Sequence, residues 1–133
     1  MDSTSIDLVG STISEIKVNQ DQVSVRFEPA YLIKTMTGSV ERTRWWQNGE
    51  LVFAGATLEE SGDSPGLPAE CAGGDVGENV FTYRDMIPVP LESNGRAHCE
   101  LRLADVDQVI RIQATGVKLV LEDVAKYIEH IRL

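Results

Sequence analysis

The fold class is decided by the end of the chain, residues 96–133, which read RAHCELRLADVDQVIRIQATGVKLVLEDVAKYIEHIRL. Apolar and polar side chains alternate over residues 97–103, 110–114 and 117–121. A period of two gives a strand one buried face and one face in water. Short turns separate the three segments, so we expect three consecutive antiparallel strands.

A C-terminal helix is predicted over residues 122–133. Val124, Tyr127, Ile128 and Ile131 fall at i, i+3, i+4 and i+7, which places them in one apolar stripe. A helix of about three turns is marginal alone, so we expect it to pack on the sheet. The expected fold class is mainly β (α+β): a twisted antiparallel sheet, barrel-like or sandwich, with this one helix packed on it.

Two hairpins are predicted earlier in the chain. Residues 13–18 and 23–27 alternate on either side of the polar turn at residues 19–21. Further on, Asn48-Gly49 is the residue pair preferred in a type I′ turn, because both central residues of that turn need positive φ. The residues on both sides of this pair favour strands, so we expect a second hairpin there.

The aromatic hairpin around this Asn-Gly pair supplies the candidate binding residues. Trp45 and Trp46 are adjacent, so in a regular strand they face opposite sides of the sheet. One of them then belongs to the core, and the other is exposed or part of a binding surface. We predict a binding surface formed by Trp45, Trp46, Arg44 and Phe53.

The chain is expected to form a single domain, residues 1–133, because this length can bury a core without metals or disulfides. Residues 60–79 contain five glycines, two prolines and several acidic side chains. This composition predicts a long acidic loop that contains Cys71. With Cys99 elsewhere in the chain, the simpler interpretation is two reduced thiols rather than a disulfide.

The charge balance restricts the partners. The sequence has 12 Lys and Arg against 21 Asp and Glu, which gives a formal net charge of −9. Such a field repels phosphate backbones and anionic membrane surfaces, so we expect no nucleic-acid partner and no membrane partner. The chain starts without a secretory signal and has no apolar run long enough to span a membrane, which predicts a soluble, cytoplasmic protein.

The sequence offers little catalytic chemistry. His98 and Cys99 are adjacent on a predicted strand, so they face opposite sides and do not contact each other as base and nucleophile. Two histidines and two cysteines without short spacings give no zinc pattern, and phosphate-binding glycine motifs are absent. We therefore expect no cofactor and no metal, and the acidic loop is interpreted as a solvated segment.

Three functions follow, in order of preference. The first is a small non-enzymatic protein-interaction or accessory module of bacterial type, which binds a protein partner or associates with itself as a dimer. The alternative is a small-molecule ligand bound in a pocket that the 60–79 loop gates. The third is a hydrolase or isomerase whose carboxylates meet only in the fold.

Overall fold

The chain forms strands throughout the part that the computed structural model describes, which is residues 3–36, 38, 41–61, 66–104 and 108–131. These ranges contain no helix, and therefore none that is long and apolar enough to cross a membrane. In chain order the strands are β1 (Ser3–Asp7), β2 (Thr12–Asn19), β3 (Gln22–Thr35), β4 (Arg42–Ala54), β5 (Thr57–Ser61), β6 (Ala69–Glu78), β7 (Phe81–Arg84), β8 (Met86–Val89), β9 (Glu92–Ser93), β10 (Ala97–Leu103), β11 (Val109–Ala114), β12 (Gly116–Leu121) and β13 (Lys126–Ile131).

The two longest strands, β3 and β4, form a hairpin from which one half of the sheet is built. On the outer side of β3, its beginning pairs with β2 and its end with β1. On the outer side of β4, its beginning pairs with β13 and its end with β12. β8 extends this half beyond β1, and β9 extends it beyond β12. We call these eight strands the β3–β4 half; all of its pairings are antiparallel.

The remaining strands form the β10 half, in the order β5-β11-β10-β6, with β7 also paired to β6. Between the two halves, β2 pairs with β6 only through Thr12–Glu70 and Ile13–Ala69. The buried side chains of both halves nevertheless form one contiguous core. The sheet therefore curves around a shared interior. Its largest fully buried residues include Phe27, Phe53, Ile6, Leu8, Ile13, Leu32, Leu51, Ile87, Leu101, Ile110 and Ile112.

The antiparallel sheet is confirmed, but the predicted C-terminal helix at residues 122–133 is wrong, and so is the α+β class. Residues 126–131 of this segment form β13, which lies along residues 42–46 of β4, and residues 132–133 lie outside the described residues. β12 pairs only with residues 49–54 of β4, so without β13 the backbone groups at the start of β4 would lack a partner on that side. Tyr, Ile and Val also favour strands, and in so short a segment strand pairing outweighs the helical spacing.

The predicted long loop over residues 60–79 is wrong for its second part, which forms β6. Cys71 and Val76 in this strand are fully buried and pair with β10. The glycines that suggested a loop serve close packing instead: a Cβ at Gly74 would collide with the backbone of Glu100 in β10. Residues 62–65 of the predicted loop lie outside the described residues.

Asn48-Gly49 does not form a turn. Both residues lie inside β4, which continues without interruption from Arg42 to Ala54. Gly49 pairs with Phe27 on one side and with Leu121 on the other. The predicted aromatic hairpin is therefore one long strand, and its partner strand β3 precedes it in the chain.

Candidate functional site: a cleft beside Trp46

An open cleft of about 410 Å³ lies on the outer face of the β3–β4 half, the face that points away from the core. The faces follow from the register. Leu32 pairs with Trp45 toward the core, so the next pair, Tyr31 and Trp46, points outward. The volume falls within the range typical of ligand sites. The cleft is lined by Glu28, Pro29, Tyr31, Trp46, Asn48 and Ile128.

A bulge in β3 builds one wall of the cleft. The register of β3 against β4 shifts between Phe27 and Ala30, where β3 has two residues, Glu28 and Pro29, and β4 has only Asn48. A bulge bends its strand and redirects the side chains next to it. All three residues at this irregularity line the cleft.

A second bulge, in β13, builds the opposite wall. Tyr127 pairs with Trp45 and Glu129 pairs with Arg44, so Ile128 is an extra residue without a counterpart in β4. The bulge turns Ile128 toward Trp46, and its side chain is 39% exposed. Two bulges on either side of one strand therefore frame the cleft over the centre of that strand.

The side chain of Gln47 binds the short segment that connects β12 to β13. This side chain is nearly buried, and its Nε2 donates hydrogen bonds to the carbonyl oxygens of Glu122 and Asp123, both at 3.0 Å. Asp123 has a positive φ of 58°, and after this local kink β13 continues along β4 in the same direction as β12. Gln47 thus positions β13, and with it the wall that contains Ile128.

Cations pack against both aromatic rings of the site. Lys126 Nζ lies 4.7 Å from the ring centroid of Trp46, and Arg44 Cζ lies 5.6 Å from that of Tyr31. Cation–π attraction and the aliphatic parts of these side chains hold the rings in place.

Arg26 joins two carboxylates next to the cleft. Its Nε donates to Glu28 Oε1, and Nη1 and Nη2 donate to the two oxygens of Glu122, the second at 2.9 Å. The hydrogen bonds from Arg26 lower the pKa of Glu122 below its ordinary value, and the two carboxylates raise the pKa of Arg26. One guanidinium is shared by two carboxylates, so this triad has one net negative charge.

Arg44 forms a second triad, which also consists of one guanidinium and two carboxylates. It lies 3.6 Å from Asp7 in β1 and 3.8 Å from Glu129 in β13. Burial raises the pKa of Asp7, and the charge of Arg44 opposes that shift. This triad also has one net negative charge, and it links the strands on both sides of the β3–β4 hairpin.

The structure separates the four residues predicted to form one binding surface. Trp46 lines the cleft, and Arg44 stacks on its neighbour Tyr31. Phe53 is fully buried in the core and does not reach the cleft.

Trp45 lies on the core-facing side, where its Nε1 donates to Thr43 Oγ1 at 2.8 Å and its ring meets Tyr127 edge-on at 5.4 Å. It lines a different cleft of about 360 Å³, together with Lys34 and Met36.

Five of the six residues that line the cleft were not predicted from sequence as binding residues: Glu28, Pro29, Tyr31, Asn48 and Ile128. Pro29 carried a usable signal, because a proline that interrupts an alternating segment indicates a bulge or an edge strand. The position of Ile128 had no such signal, since it depends on a pairing between residues about eighty positions apart.

Among the described residues, neither the two thiols nor the acidic side chains outside the cleft form a reactive thiol or a metal site. Cys71 and Cys99 are free, and burial raises the pKa of both thiols, so they are poor nucleophiles. Within the described ranges, no group of three or more His, Cys, Asp or Glu side chains could hold a metal ion.

Comparisons with models of known protein families, with curated protein sequences and with solved structures found no match. The site is therefore interpreted from its own geometry.

Proposed function

We propose that this protein is a non-enzymatic interaction module and that the Trp46 cleft holds a side chain of a protein partner. The observation that carries the proposal is an open cleft lined by Trp46 and Tyr31, on a face that the protein's own strands leave uncovered. Rigid aromatic residues beside a pocket are typical of the residues that dominate binding energy in protein interfaces.

The apolar surface around the cleft supports the same proposal. Ile128, in the wall of the cleft, is 39% exposed, and Val120, opposite Glu50 on the same outer face, is 37% exposed. Exposed apolar side chains are unremarkable singly, but grouped ones beside a cleft favour contact with another protein.

The carboxylates near the cleft favour binding over catalysis. Glu28 and Glu122 are both held by Arg26, and Asp7 and Glu129 both lie against Arg44. The hydrogen bonds from Arg26 lower the pKa of Glu122, so this carboxylate is charged near neutral pH and is a weak proton donor or acceptor there.

Selection from a random peptide library displayed on phage tests this proposal. We expect peptides enriched on the wild-type protein to lose binding to Trp46→Ala and to keep it on the control Lys118→Ala, an exposed position on β12. Enriched peptides that bind both variants equally would place the interaction surface elsewhere. A selection that enriches no peptide would count against an interaction module.

A small-molecule ligand is the second candidate, favoured by the cleft volume. The cleft lies on β3, β4 and β13, and no described residue of the 60–79 segment lines it. Gating of the ligand by this segment, which the sequence suggested, is therefore not part of this candidate function. A fragment screen by NMR, with shifts of the Asn48 backbone amide as the readout in both the wild type and the control Trp46→Ala, tests this candidate.

A cytoplasmic location is part of the proposal. Cys71 and Cys99 are both buried free thiols, which suits a reducing compartment.

A further inference from the structure

We propose that the side chain received by the Trp46 cleft is the guanidinium group of an arginine in a basic segment of the partner. This inference rests on the proposed function, because it names the chemistry of the partner at the same site. It is carried by three features of the cleft: its charge, its aromatic walls and its polar lining.

The charge around the cleft favours a cation. Each of the two arginine triads has one net negative charge, and Lys126 is the third cation beside the cleft. Glu50 lies directly opposite Arg26 on the same face and adds a further carboxylate. Carboxylates therefore outnumber cations there, within a chain whose net charge is −9. An incoming anion would be repelled, whereas a basic segment would be attracted at long range.

The aromatic residues favour a planar cation. Trp46 and Tyr31 stand opposite each other on neighbouring strands, and the protein's own Lys126 and Arg44 already pack on them. The same ring electrostatics attract a guanidinium, which also stacks flat on indole and phenol rings.

The polar groups that line the cleft favour a side chain with hydrogen-bond donors over a purely apolar side chain. Arg26 binds Oε1 of Glu28, which leaves Oε2 to accept from a ligand, and Asn48 offers an amide oxygen on the same wall. An aliphatic side chain seated here would remove water from both groups without replacing its hydrogen bonds, which costs affinity. A guanidinium has five N–H donors and satisfies them.

Three pentapeptides separate these contributions: acetyl-Gly-Gly-Xaa-Gly-Gly-amide with Xaa arginine, citrulline or norleucine. Citrulline keeps the shape of arginine without its charge, and norleucine keeps only the aliphatic part. In ¹H–¹⁵N NMR titrations we expect the arginine peptide to shift the Trp46 indole and Asn48 amide signals. We expect it to bind about tenfold more tightly than citrulline, a factor equivalent to about 1.4 kcal/mol.

Two variants test whether Glu28 causes the preference for arginine over citrulline. Glu28→Gln is expected to remove most of the preference for arginine over citrulline, because it removes the negative charge of the carboxylate that accepts hydrogen bonds from the guanidinium. The matched control Glu59→Gln removes one charge from an exposed position on β5, in the β10 half, and is expected to keep the preference. Raising the salt concentration from 20 to about 200 mM should weaken arginine binding and leave citrulline binding unchanged.

The outcomes separate this inference from the proposed function. Equal binding of arginine and citrulline at the cleft, or tighter binding of norleucine, would overturn the inference while leaving the cleft as an interaction site. Equal effects of the two Glu→Gln variants would also overturn it. A titration in which no peptide shifts the cleft signals overturns the arginine assignment. The phage selection on Trp46→Ala still decides the interaction module independently.

Discussion

At the scale of single residues, Trp45 and Trp46 show how adjacent side chains acquire different roles. Their backbones are consecutive in β4, but the pleat sends Trp45 toward the core and Trp46 outward. The sequence predicts that the two tryptophans face opposite sides of the sheet, but it does not decide which of them faces the core. The register with β3 decides it, because Trp45 lies opposite the buried Leu32.

Replacing each tryptophan by alanine should therefore give different results. We expect Trp45→Ala to lower the free energy of unfolding by about 2–3 kcal/mol, through lost packing against the core and Tyr127. Trp46→Ala should cost less than about 1 kcal/mol but abolish peptide binding. Urea unfolding followed by circular dichroism measures both. Equal, large losses of stability would mean that Trp46 is structural, and the cleft would lose its support as a binding site.

The two thiols should be unreactive while the protein is folded. Cys71 and Cys99 are 0% and 3% exposed, and burial raises the pKa of both, which lowers the thiolate fraction near neutral pH. We expect almost no reaction with Ellman's reagent under native conditions and two thiols per chain in guanidinium chloride. Rapid reaction of either thiol in the native protein would contradict the placement of β6 and β10 around the core.

The ion pair of Glu122 with Arg26 predicts a dependence of stability on pH. Arg26 lowers the pKa of Glu122 below its ordinary value of 4.5. A carboxylate with a lowered folded-state pKa contributes stability above its unfolded-state pKa and loses it as the pH falls through the folded-state value.

We therefore expect Glu122→Gln to be less stable than the wild type at pH 7 and to approach it at pH 3. Urea unfolding at both pH values tests this, with Glu59→Gln as the matched control. A difference that stays constant with pH would mean that the ion pair is not the source of the stability.

At the scale of elements, the local patterns succeeded where one strand pairs with its neighbour in the chain. The hairpins of β2 with β3 and of β10 with β11 follow from alternation and short connections. The expected reversal of β11 into an antiparallel β12 is wrong, because β12 pairs with β4 and β9 in the other half of the sheet. The errors arose where a distant partner decided the conformation. β13 is a strand because β4 offers a free edge to it, and β6 is a strand because it lies between β2 and β10.

A substitution at Gly49 tests directly whether Asn48 and Gly49 lie inside a paired strand or form a turn. Gly49 has no positive φ, and a Cβ there would lie 2.7 Å from the carbonyl oxygen of Val120 and 2.8 Å from Leu121 Cδ2. We expect Gly49→Ala to destabilise the protein by about 1–3 kcal/mol through this collision.

Gly66 is the matched control for this substitution, since a Cβ there meets nothing within 4 Å. Gly66→Ala should change the free energy of unfolding by less than about 0.5 kcal/mol in the same urea titration. If both variants were equally stable, β12 could not pack against Gly49 as the structure places it.

At the scale of the whole molecule, the candidate site depends on long-range pairing, and this limited its prediction. Trp46 and Arg44 were identified because aromatic and basic residues are visible in the sequence. Tyr31 and Ile128 join them only through the register of β3 and β13 on β4. Two bulges, each of which adds one residue to a strand, set that register. The alternation of side chains in the sequence does not by itself locate both bulges.

The shared core predicts cooperative unfolding of the two halves of the sheet. Strand pairing between them is limited to two residue pairs of β2 and β6, and a few further backbone hydrogen bonds, such as those of Cys71 with Gly10 and Ser11, join them beside that pairing. Their apolar faces, however, bury each other, and neither half can keep its core residues from water without the other. In urea, tryptophan fluorescence, which reports on β4, should therefore show the same single transition as far-UV circular dichroism.

The decisive variant is Ile112→Ala, in β11 of the β10 half, where the side chain is fully buried. Removing it should cost about 2–5 kcal/mol. Although the tryptophans lie in the other half, their fluorescence transition should move to lower urea by the same amount as the dichroism. A fluorescence transition that stays in place would mean that the β3–β4 half folds on its own. The cleft beside Trp46 would then be a property of that half rather than of the whole curved sheet.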